Sequence, residues 1–170
     1  MAHEPPERRA PRAPRPALRA PRPALRAEVA STVGSGPSAR RVAAWAEEVL
    51  AAADPRGRTS VSVLLCGDAR MRRLNREFRK IDRPTDVLSF PAGDPAFLGD
   101  VAIDVSYAAR QARGRGHSLD REVKLLLAHG VLHLLGHDHE TDQGAMFRLQ
   151  GRLVKKVFGP GPDGVPQDEA

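Results

Sequence analysis

The chain has 170 residues, 41% of them apolar, which suits one ordinary domain built around one core. Its single cysteine, Cys66, excludes an internal disulfide, and no apolar run approaches the ~20 residues that a membrane-crossing helix needs. The formal charge of +6 sits largely at the start, where the first 26 residues hold seven Arg against two Glu, so the rest is nearly neutral and global charge alone does not argue for a nucleic-acid partner.

The opening segment repeats R-A-P-R-P-A-L twice, at Arg12–Leu18 and Arg19–Leu25. Prolines at this density deny a helix its hydrogen bonds, so residues 1–26 are expected to be a disordered Arg/Pro-rich arm. Such an arm is either a low-complexity extension or a salt-sensitive RNA contact. No apolar core of a secretory signal follows Arg8 and Arg9; Pro11, Arg12, Pro14 and Arg15 stand there instead, and a cytoplasmic location is expected.

A domain over residues 27–158 is expected next, with residues 159–170 as a flexible C-terminal tail. Leu25 to Thr32 can form an edge strand, and Val33 to Pro37 a turn. Ser38 caps a helix over residues 39–53 whose Val42, Trp45, Ala46, Val49 and Leu50 recur at helical spacing. Val61 to Cys66 reads as a strand that buries the thiol, and Asp68 as the cap of a second helix ending near Phe78. Two further strands are expected at Asp86–Phe90 and Asp100–Val105, joined through Pro91, Gly93, Pro95 and Gly99. Helices then follow from Ser106 to Arg113, from the Ser118 cap to Gly136, and from Asp142 to Phe158. This order predicts an α+β fold, one small mixed sheet of about four strands packed against helices.

Five of the six histidines fall between His117 and His139, in a run ending H-G-V-L-H-L-L-G-H-D-H. Residues four apart share a helix face, so His129 and His133 can bind one ion, and Gly136 frees the chain to turn back and bring His139 to the same point. Three protein ligands plus a solvent position is the catalytic arrangement of zinc, and nickel or cobalt would accept the same donors. His117 and His137 fit this geometry less well. Asp138, Glu140 or a backbone carbonyl is a candidate partner for the second nitrogen of a ligand ring.

The spacing equals that of the metzincin proteases, H-E-x-x-H-x-x-G-x-x-H, which makes this a metzincin-like zinc helix. Gly130, however, occupies the place of their general-base glutamate, which disfavours peptide hydrolysis. A second cluster, Arg70, Arg72, Arg73, Arg76, Arg79, Lys80 and Arg83, outweighs Glu77 and Asp82 and suits phosphate recognition as well as it suits a solvated helix face. Arg79 is the candidate catalytic residue, a guanidinium able to hold a phosphate as negative charge develops. Aromatic content of 4% leaves little for base stacking, so recognition of a phosphate-bearing ligand is expected to be led by its backbone.

The segments Leu74–Pro91 (L-N-R-E-F-R-K-I-D-R-P-T-D-V-L-S-F-P), Leu98–Ile103 (L-G-D-V-A-I) and His129–His139 resemble the YbeY family of bacterial rRNA-maturation endoribonucleases. The resemblance implies an α+β zinc hydrolase with one Zn2+ per chain that trims rRNA precursors near the small-subunit 3′ end and serves ribosome quality control. It implies zinc ligation by His129, His133 and His139 and an active-site role for Arg79. Expected partners are rRNA precursor, the ribosome and ribosomal or assembly-factor proteins, without DNA or membrane. The alternatives are a ribosome-assembly factor with a structural metal and a metalloprotease.

Overall fold

The computed structural model describes residues 26–54, 60–94, 96–139 and 142–160. The repeated arm and most of the C-terminal tail lie outside the described residues. Among the described residues four strands and five helices follow in the order β1 (Arg26–Ser31), α1 (Ala39–Ala53), β2 (Ser60–Cys66), α2 (Asp68–Arg79), β3 (Val87–Pro91), β4 (Phe97–Asp104), α3 (Val105–Arg115), α4 (Leu119–Leu134) and α5 (Ala145–Phe158). The sheet order is β1-β2-β4-β3; β1 and β4 run parallel to β2, and β3 runs antiparallel to β4. This is the mixed α+β sheet expected from the sequence.

Residue type explains where each element begins. Ser38 and Ser118 accept the backbone N–H three residues on, at 3.4 and 3.2 Å, and so start α1 and α4. α2 differs from expectation. Gly67, not Asp68, holds its N-cap position, because the Asp68 carboxylate is drawn sideways into a paired contact with Arg110 at 2.7 and 3.0 Å. Asp104 caps α3 by accepting from Ser106 and Tyr107, and burial pushes its carboxyl up to about 6. Cys66 is fully buried and its thiol is raised to about 11 by burial, as suits an inert core cysteine.

The larger core lies between the sheet and α1, α4 and α5, where Val42, Val49, Val63, Val101, Leu127 and Val131 are fully or almost fully withdrawn from water. A smaller cluster of Met71, Leu88, Ala102 and Cys66 puts α2 on the opposite face. Alternation along β4 divides the two: Val101 and Ile103 enter the first, Ala102 the second. The connection after α2 is held by Asn75, whose buried amide donates to the Arg83 carbonyl at 2.8 Å, and by Asp82, which takes two hydrogen bonds from Arg72.

No helix among the described residues is long and apolar enough to cross a membrane.

Candidate metal centre

α4 is a buried helix laid across β3 and β4, and Gly130 lets it lie close. A β-carbon there would stand 2.6 Å from Val101 Cγ1, 3.1 Å from Val101 Cγ2 and 3.3 Å from Ser89 Oγ. Ser89 Oγ fixes the approach by donating to the Gly130 carbonyl at 3.1 Å. This gives the departure from the metzincin pattern a physical cause, since the position that carries a base in those proteases faces the sheet here. Gly130→Ala is expected to cost about 1–3 kcal/mol, because Val101, fully buried and stiff at its branched β-carbon, must shift to admit the methyl group. Gly130→Glu would add an unpaired buried carboxylate and cost more. Urea denaturation checks both, and an unchanged midpoint would refute the packing argument.

Beyond Leu134 the helix ends in a Schellman turn. Gly136 adopts φ +92, its N–H donates to the His133 carbonyl at 2.9 Å, and the His137 N–H donates to the Leu132 carbonyl at 3.1 Å. The reversal carries His139 back over the helix end, where its ring lies 5.1 Å from that of His133 and 5.2 Å from that of His129.

One ligating nitrogen from each of His129, His133 and His139 falls within 4.8 Å of the others, and the three half-buried side chains could hold a metal ion. The closest pair, His129 Nε2 and His133 Nε2, stands 3.1 Å apart. Two nitrogens ~2.0–2.1 Å from one tetrahedral ion would stand roughly 3.3 Å apart, so the donor set fits a transition metal with little movement. Burial lowers the pKa of both rings, that of His133 to about 4, with neighbouring histidines adding to the effect. Neutral imidazoles with free lone pairs are the form that binds metal.

The outer hydrogen bonds were only partly foreseen. His129 Nδ1 lies 3.0 Å from Gln150 Oε1, and Gln150 Nε2 in turn donates to the Leu125 carbonyl at 3.3 Å. Anchored in this way, the amide offers its oxygen, so Nδ1 carries the proton and Nε2 is left for the ion. The sequence reading offers Asp138, Glu140 or a backbone carbonyl for this role and misses Gln150 on α5. Its signal was present, since Met146, Gln150 and Leu153 recur at helical spacing on the inward side of α5. A backbone hydrogen bond at His137 favours the protonated form of His133, and Asp138 acts on the same ring through charge. Glu140 lies outside the described residues. Gln150→Ala is expected to weaken metal affinity about 10- to 100-fold, measured by competition with a chromophoric chelator, whereas Gln150→Glu should retain it. Equal affinity in the Ala variant would remove Gln150 from the site.

Among the described residues, the other two histidines do not join the ligand group. His137 is exposed. The side chain of His117 is buried, its Nε2 2.8 Å from Glu122 Oε2, and Arg115 reaches the other Glu122 oxygen at 2.8 Å. Burial raises the Glu122 pKa against the opposing pull of Arg115.

Arg79 is the exposed last residue of α2, as expected, with no acidic partner among the described residues. No hydrogen bond among those residues joins it to the histidines. Its link to them runs through the packing of β3, since Phe78 stacks edge-on with Phe90 at 4.9 Å while Ser89, next in the strand, holds α4. Within the basic cluster, Arg72 and Arg76 are tied to Asp82 and Lys80 donates to the Glu77 carbonyl. Arg70, Arg73, Arg79 and Arg83 are left without acidic partners among the described residues.

Fold and site together define a class, an α+β protein with a candidate three-histidine metal centre on one helix and its exit turn. The family model described as endoribonuclease YbeY matches residues 31–157. The chain belongs to the YbeY family. It is 56% identical over 97 residues to the endoribonuclease YbeY of Solibacter usitatus, a match covering 57% of this chain and 65% of that protein. The Aquifex aeolicus endoribonuclease YbeY is 48% identical over 124 residues, covering 69% of this chain and 82% of the relative. A solution structure from Thermotoga maritima aligns with TM-score 0.59 and 26% identity, over 85% of this chain and 99% of the other.

Proposed function

We propose that this protein is a zinc-dependent endoribonuclease that cuts single-stranded RNA, matures the 3′ end of small-subunit rRNA and serves ribosome quality control in the cytoplasm. The observation that carries this reading is the convergence of three imidazoles on one point, in a chain that belongs to a family described as endoribonuclease. Residues 27–158 form the catalytic domain.

His129, His133 and His139 hold one zinc ion, and nickel or cobalt would suit the same nitrogens. When bound, the ion supplies Lewis acidity beside the scissile phosphate. Gln150 keeps the His129 proton on Nδ1. Arg79 binds the phosphate through charge-assisted hydrogen bonds that strengthen as negative charge develops. Arg70, Arg73 and Arg83 attract the flanking backbone without reading sequence, so the ribosome and its assembly proteins supply the choice of site. The nucleophile is water or the RNA's own 2′-OH; a 2′,3′-cyclic phosphate on the product would select the second.

The test is incubation of the purified, metal-analysed protein with an end-labelled rRNA precursor, before and after chelation and zinc return. Zinc-restored cleavage supports the reading. A chain that holds stoichiometric zinc and leaves the precursor intact would favour the assembly-factor alternative.

A further inference from the structure

Phe147 is an apolar residue in an unexpected place. It lies on α5 one turn before Gln150, on the side turned toward the histidines, with its ring centroid 5.2 Å from His139 and 5.8 Å from His129 and tilted 35° to each. Nevertheless, 43% of it is exposed. The core does not account for it, because α5 is anchored by Met146, Leu153 and Val154. Among the described residues, large exposed apolar side chains are confined to Phe147, Phe78 and Ile81, and the latter two flank the Arg79–Lys80 turn. Apolar surface left in water beside the groups assigned to chemistry is the kind that a ligand covers.

We infer that Phe147 is a stacking platform for one base of the RNA, the nucleotide next to the phosphate held at the histidine centre. This rests on the endoribonuclease reading. Every base offers a flat π face, so stacking tolerates any sequence yet demands an unpaired base, which gives the site a physical basis for choosing single strands over duplex. Exposed Arg148 and Arg152 follow on the same helix, without acidic partners among the described residues, and would draw the adjoining phosphates. The low aromatic content understated stacking because one well-placed ring suffices.

The test uses the full-length, zinc-loaded chain and single-stranded RNAs carrying 2-aminopurine or an abasic ribose at successive positions around the cut. Wild type should quench 2-aminopurine at one position, and an abasic ribose there should raise KM about tenfold. Phe147→Ala should lose that quenching, show the same rise in KM with most of the loss in KM rather than kcat, keep its zinc, and gain no further penalty from the abasic site. Phe147→Trp should restore quenching and KM. An unchanged KM in Phe147→Ala, an abasic penalty as large in the variant as in wild type, or loss of zinc with the ring would overturn the inference while leaving the endoribonuclease reading intact. Wild-type protein that neither binds nor cuts any of these RNAs would bring down both.

Discussion

His133→Ala is expected to leave a folded protein that holds no stoichiometric zinc and cuts RNA at least about a thousandfold more slowly. The size follows from what is removed. Lewis-acid stabilisation of a reacting phosphate amounts to several kcal/mol, and each ~1.4 kcal/mol is a factor of ten in rate. The fold should survive because His133 is only half-buried and the core is built from other side chains, among them Leu127 and Val131 on the same helix. The three histidines also lie within residues 129–139, so an ion held there would close only a short loop and add little cross-linking entropy. Metal analysis, circular dichroism and precursor cleavage on one preparation check the three parts. Collapse of the fold on losing this imidazole would instead mark the metal as structural.

Arg79→Ala is expected to lower kcat about 100- to 1,000-fold with zinc content and stability unchanged. Removing one preorganised donor from a developing oxyanion costs this much in other enzymes. The exposed guanidinium makes no ion pair among the described residues, so the fold loses nothing with it. Arg79→Lys should recover only part of the rate, since a point charge replaces a planar fork. Unchanged rRNA processing in cells carrying Arg79→Ala would take this residue out of catalysis and support the assembly-factor alternative.

Local rules gave the element order and most boundaries. Ser38 and Ser118 are cap residues by chemistry, and Val42 to Leu50 show their buried stripe in spacing alone. The three histidines were legible for a similar reason, since two share a helix face and Gly136 announces the turn that returns the third. Contacts between distant segments stayed hidden. Asp68 resembles a cap because its partner, Arg110, lies 42 positions away, and the helical spacing that turns Gln150 inward on α5 does not say that His129 is what it meets. Gly130 was recognised as the loss of a base, whereas its steric reason, the nearness of Val101, belongs to the folded sheet.

Among the described residues, the sheet order leaves β1 and β3 with one unpaired flank apiece, an invitation for another molecule to add a strand. β1 presents charged Arg26 and Glu28 to solvent, and β3 is only five residues long and closes on Pro91, which has no N–H to offer. Both borders are thereby blunted against fibre-like stacking, so copies of the chain can crowd together without zipping edge to edge.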